Sequence, residues 1–291
     1  MIVRPKPRIF ELFTILRHSI LLRVAPQIAG VLLFSGAVLW LEGRFPGPFR
    51  SWSVAPFTLL GIALSIFLGF RNNACYDRWW EARRQLGALI GEMRSFARIL
   101  LTMPGGDRVR RERTVVRAIV YTKTLMGHLR GAPMVGEYAL ARNVPDAMLR
   151  DLAAEYGAML GEGEIGEQVY RMLDDHISAV AAIQVACERI RSTPTPFTYT
   201  LLLHRTAYAF CFLLPFSLVS TLGYATPIFA AVVAYAFFGL DALGDELEEP
   251  FGSSPNALPL DAMAQTVEIS LLEALGREAP EALQPVDGIL R

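Results

Sequence analysis

The sequence predicts an all-α membrane protein, with four membrane-spanning helices and a cytosolic helical bundle on one chain of 291 residues. Three observations predict it. Long runs without a charged residue punctuate the chain, and the segment between them places apolar residues at helical spacing. No strand-like alternation appears along that segment.

Residues 1–23 read as a cytosolic N-terminal segment, with Arg4, Lys6, Arg8, Arg17 and Arg23 against Glu11. The stretch MIVRPKPRIFELF has neither the apolar core nor the cleavage site of a signal peptide. Residues 24–70 form a first transmembrane hairpin. Val24 to Leu41 and Ser51 to Phe70 are charge-free runs of eighteen and twenty residues, and a helix needs about 20 to cross a bilayer. Thr206 to Leu240 is charge-free for thirty-five residues. That is room for two short spans, residues 206–240, broken at GYATP, where Gly223 and Pro227 supply a turn. Lysine and arginine gather before the first span and after the second, which puts both flanks on the cytosolic side. An even number of spans returns the C-terminus to that side.

Residues 71–205 are the cytosolic helical domain. NVPDAMLRDLAAEYGAML offers Asn143 as a cap, Pro145 in the first turn, and Leu149, Leu152, Tyr156 and Met159 on one face. EQVYRMLDDHISAVAAIQVACERI is a second long helical run, stopped by STPTP. Residues 241–276 form a cytosolic C-terminal helical segment, and 277–291, REAPEALQPVDGILR, a flexible tail.

The second span does not stop where its apolar run ends. Nothing from Val54 to about Arg98 breaks a helix, so one helix of about 68 Å passes through the bilayer and on into the cytosolic bundle. Within it, Gly61, Ser65 and Gly69 make a small-residue stripe for close helix packing. Ile62, Ile66 and Phe70 make a bulky stripe, and at 100° per residue Asn73 and Asp77 continue it. Trp79 and Trp80, flanked by Arg78 and Glu81, fall at the interface, where aromatic belts sit.

Net charge is zero, from 28 basic and 28 acidic residues, so the dominant basic face of a nucleic-acid binder is missing. Charge is still uneven, thirteen basic to five acidic over residues 71–130 and three to nine over 131–180. Complementary or solvated faces account for that. Cys75, Cys187 and Cys211 give an odd count without paired spacing, hence no disulfide framework or zinc site.

FLGFRNNACYDRWWEAR resembles the signature of the bestrophin family in its bacterial branch. MIVRP, CERIRSTPTPFTYTLLLHRTAY, DELEEPFG and LPLDAM extend the similarity over most of the chain outside residues 100–175 and the tail. The resemblance implies a homopentamer around one central pore in the bacterial inner membrane, with both termini cytoplasmic. It implies that Ile62, Ile66 and Phe70 form an apolar neck, with Asn73 and Asp77 lining the pore below it. A second constriction at the cytosolic exit falls near Val169, with Met172 the next candidate. Eukaryotic members carry a calcium clamp of acids after PFG; here Ser253, Ser254, Pro255, Asn256, Ala257 and Leu258 follow it, so no calcium site and no other cofactor is expected.

The expected partners are therefore permeant monovalent ions, the lipid bilayer and further copies of the same chain. Five Asp77 side chains would form an acidic ring favouring cations such as sodium or potassium, although Arg78 adjoins each one. A chloride channel of the same architecture is the alternative. A secondary transporter, with Pro215 interrupting the third span, and a non-conducting scaffold stay open. An enzyme is not expected. His18, His128, His176 and His204 form no metal-protease motif, and Asp174, Asp175 and His176 point in different directions on one helix.

Overall fold

The computed structural model describes residues 1–4, 8, 15, 17, 19–45, 47, 53–133, 138 and 141–291. Lys6, Glu11, His18 and Ser51, named above, lie outside the described residues. Among the described residues the regular structure is helical, with only the isolated bridges Ile2–Ile289 and Val286–Ile289. The chain divides into an apolar unit, residues 5–79 and 194–249, and a polar unit, residues 1–4, 80–193 and 250–291.

The helices are α1 (Ile20–Arg44), α2 (Ala55–Thr102), α3 (Arg108–Arg130), α4 (Val144–Gly161), α5 (Glu167–Ser192), α6 (Phe197–Leu222), α7 (Thr226–Glu248) and α8 (Leu260–Ala274). Among the described residues three stretches are long and apolar enough to cross a membrane: Ile20–Arg44, Ala55–Thr102 and Phe197–Glu248. The third is two helices, α6 and α7, joined by the 3-10 turn Gly223–Ala225 inside the expected GYATP break. Gly223 takes φ +51° and ψ −122°, a conformation that a side chain would strain. α1, α2 and α7 each run past the C-terminal end of their charge-free window. Backbone hydrogen bonding continues past the point where apolar composition stops, so charged residues occupy the helix ends.

In the apolar unit α1 packs on α7 and α6, and α6 on α7. Ala207, Ala230 and Ala234 are fully buried there, and such small side chains let helices approach closely. Ser19 opens α1 by accepting from the Leu21 amide at 3.2 Å, which satisfies a first-turn donor. Pro215 sits within α6, which runs unbroken from Phe197 to Leu222.

α2 is a single helix of 48 residues, four residues longer at its C-terminal end than the sequence suggests. Through Trp79 it belongs to the apolar unit and from Trp80 to the polar one. Its polar-unit part buries Leu86, Leu89, Met93, Phe96 and Leu100, a three-four spacing that keeps one face inward. In the same unit α3 packs on α8, α4 and α5, and α4 on α5. Asn143 caps α4 through the Asp146 amide at 3.2 Å, and Leu149, Leu152, Tyr156 and Met159 are buried as their spacing requires. The tail, residues 277–291, has no helix, and it is attached to α8: the Leu283 amide donates to Gln265 at 2.7 Å, and the Ala262 amide donates to the Arg291 carbonyl at 2.8 Å. Its composition reads as disorder because backbone donors and acceptors are invisible in a residue count.

Candidate ion-lining face and the cluster that anchors it

On α2 the apolar unit buries Leu64, Leu68, Arg71 and Cys75. At 100° per residue these four centre about 170° from the centre of Ile62, Ile66, Phe70, Asn73 and Asp77. The predicted stripe therefore faces directly away from the unit's own core. Ile62 is 54%, Ile66 50% and Phe70 61% exposed, and Asn73 and Asp77 are exposed as well. Such a face, apolar above and polar below, is left for something outside the single chain.

The small-residue stripe divides. A Cβ on Gly61 would lie 3.1 Å from the Phe210 ring, whereas nothing stands within 4 Å of Gly69. Ser65 is exposed and bonds the Gly61 carbonyl at 2.8 Å. Within the chain the packing face is thus Gly61 with Leu64 and Leu68, and Ser65 and Gly69 flank the exposed stripe.

Just below Phe70 lies a cluster that the sequence reading missed. Arg71, 1% exposed, donates to Asp241 Oδ1 at 2.8 Å and to Asp245 Oδ1 at 2.6 Å, and Glu248 is 3.5 Å away. His204 Nδ1 meets the other oxygen of Asp241 at 2.6 Å. Arg23 bonds Asp245 at 3.3 Å and Glu246 at 3.2 Å. Glu248 also accepts from the Thr195 amide at 3.0 Å and from the Thr195 hydroxyl. In the sequence Glu246, Glu248 and Glu249 read as caps of the span or as partners between subunits; within the chain Glu246 and Glu248 tie α1, α2 and Thr195, just ahead of α6, to α7. Asp241, Asp245 and Glu248 at i, i+4 and i+7 on an apolar helix were the available signal.

Arg78 Nε donates to the Glu248 carbonyl at 2.7 Å. Trp79 stacks on Tyr76 with centroids 6.3 Å apart. Trp80 is exposed, and Glu81 is occupied by Gln85 at 2.7 Å and by Arg84. Val169 is half-buried and Met172 exposed in the first turns of α5, while Leu173, one turn on from Val169 and on the side away from Met172, is buried.

The described histidines stay apart. His176 meets Glu92 at 2.6 Å, His128 lies 3.7 Å from Glu188, and His204 is in the Arg71 cluster. Asp174 instead accepts from buried Tyr156 at 2.8 Å, so the Asp174–His176 run splits as helix geometry demands. Burial pushes the Cys187 thiol up to about 12, which leaves it protonated and unreactive. After the PFG motif the chain turns tightly, with the Leu258 amide on the Pro250 carbonyl at 2.8 Å. Asp261, a few residues on, is held by Arg130 at 2.6 Å.

The match to known proteins covers both units. The family model for bacterial and fungal bestrophin proteins matches residues 1–273. A voltage-dependent anion channel-forming protein of Mesorhizobium japonicum is 42% identical over 99% of this chain and 96% of its own. The Escherichia coli K12 protein YneE, described in the same words, is 37% identical over 94% of this chain and 93% of its own. The crystal structure of a bacterial bestrophin homologue from Klebsiella pneumoniae superposes with a TM-score of 0.82 at 32% identity, covering 88% of this chain and 99% of that one. A long helix with an outward apolar stripe, four helices' worth of apolar sequence and a match over nearly the whole chain agree: the chain belongs to the bestrophin family of membrane ion channels.

Proposed function

We propose that five copies of this chain surround one pore in the bacterial inner membrane and pass small monovalent ions. The observation that carries this reading is the stripe of Ile62, Ile66 and Phe70, exposed and opposite the chain's own packing face. Repeated around an axis, it makes three stacked apolar rings. An ion cannot replace its hydration shell from hydrocarbon, so such a neck gates by dewetting. Asn73 and Asp77 line the path below, and Val169 or Met172 on α5 narrows the cytosolic exit. The excess of Arg and Lys beside the first two spans supports cytoplasmic termini.

The ion's sign is drawn first from the relatives. Proteins 42% and 37% identical are described as anion channel-forming, which favours anions over the cation preference expected from sequence. One observation favours cations: Asp77 is exposed on the stripe, and five of them would repel chloride. We further infer that no calcium ion is required, since Ser253 to Leu258 offer no carboxylate.

The test is a reversal potential under a sodium chloride gradient in a planar bilayer, for the wild type and Asp77→Asn. Reversal near the chloride potential supports the anion reading. Reversal near the sodium potential, weakened by Asp77→Asn, replaces it with the cation reading. A conductance that Ile66→Ala leaves unchanged removes the neck from this stripe, and protein that runs as a monomer in detergent removes the pore.

A further inference from the structure

α2 carries its packing face and its outward stripe on opposite sides, so the rotation of this helix about its own axis decides what the stripe exposes. Above Phe70 the packing is apolar, through Gly61, Leu64 and Leu68. Apolar contact is non-directional and resists a small rotation weakly. On a helix of about 5 Å radius with its side chains, a slip of about 20° moves a side-chain tip by about 2 Å. That is enough to change the bore of a narrow ring.

Arg71 differs in kind. Its Nη1 donates to Asp241 Oδ1 at 2.8 Å and to the Asp241 carbonyl at 3.2 Å, while Nη2 donates to Asp245 Oδ1 at 2.6 Å. A planar fork held at both prongs accepts little rotation. Its receptor is fixed too, since His204 holds the second oxygen of Asp241 at 2.6 Å. The fork lies flat on α7 at Gly244, where a Cβ would stand 3.0 Å from Nη1 and 3.3 Å from Cζ.

We propose that Arg71 is the rotational pin of the pore helix. It is a positioning residue: it touches no permeant ion, and it fixes the angle at which Ile62, Ile66 and its chain neighbour Phe70 face the pore. This inference rests on the stripe being the pore lining, and the experiment separates the two.

The test uses the full-length protein in a planar bilayer, with a charged, membrane-impermeant thiol reagent added to the bath. The native Cys75, Cys187 and Cys211 are all buried. Ile66→Cys is expected to lose current on reagent addition, and Ala63→Cys, about 60° from the centre of the stripe, to keep it. With Arg71→Met added, Ala63→Cys is expected to become sensitive while the size of the assembled protein stays unchanged. Arg71→Lys, which keeps the charge without the fork, is expected to fall between the two. Ala63→Cys staying insensitive beside Arg71→Met overturns the pin and leaves the pore standing. Ile66→Cys insensitive without any change at Arg71 overturns the pore reading, and the pin with it. Should Arg71→Met fail to assemble, Arg71→Met with Asp241→Leu is read the same way, because removing both members of a buried pair is tolerated better than removing one. Failure of both to assemble overturns the proposal, since a pin is dispensable for assembly.

Discussion

Two arginines in this chain each meet three carboxylates, at nearly the same distances and with opposite weight. In the apolar unit Arg71 lies 2.8, 2.6 and 3.5 Å from Asp241, Asp245 and Glu248. In the polar unit Arg110 lies 2.7, 2.6 and 3.1 Å from Glu155, Glu162 and Glu164. The Arg71 side chain is 0% and Asp241 6% exposed, whereas Arg110 is 18% and Glu162 58% exposed. Contact geometry is shared, and access to water is not. A buried charge that loses its partner has nothing to replace it, while a hydrated one turns to solvent.

The hydrogen bonds to Glu155 and then Glu162 raise the Arg110 pKa above its ordinary value. This changes nothing in practice, since a guanidinium is charged at every pH the protein meets. Neither cluster gains its importance from titrating. Arg71 matters because its carboxylates would otherwise be stranded.

The largest effect that would sharpen this contrast is expected from Arg71→Met. It leaves Asp241 facing only His204, and the assembled protein should lose about 3–5 kcal/mol of stability, seen as a large fall in melting temperature in detergent. A melting temperature within error of wild type would break the comparison. Gly244→Ala should come next. Alanine is the better helix former by about 1 kcal/mol, yet here its Cβ would meet Asn72 Oδ1 at 2.6 Å and a guanidinium that two carboxylates hold still. Overpacking of this kind costs about 1–3 kcal/mol, so the substitution should destabilise, and a stabilised protein would show that the fork yields. The smallest effect is expected from Arg110→Met, with no resolvable change in melting at physiological salt. A clear loss there would mean that the polar cluster is as closed to water as the buried one.

Much of the fold was legible because membrane spans and amphipathic helices write themselves as local patterns. The charge-free runs located α1, α6 and α7, and Asn143 with Pro145 located the start of α4. The exposed stripe was legible for the same reason, since Ile62, Ile66 and Phe70 sit at fixed angles on one helix. The Arg71 cluster was not. Arg71 reads as the polar end of a span, and its partner Asp241 stands 170 residues away, where it reads as the polar end of another. Spacing along a helix shows that Asp241, Asp245 and Glu248 share a face, but only tertiary packing brings an arginine from α2 to that face. The attachment of the tail was hidden for a related reason. Its binding to α8 runs through Gln265 and main-chain groups, which carry no compositional signal.

That separation also sets a clock for biosynthesis. The ribosome adds roughly 5–20 residues per second, so about 10–30 s pass between the making of Arg71 and the making of Asp241. Throughout that interval none of the three carboxylates that hold the guanidinium has been made, so the buried cluster closes only after α7 is synthesised.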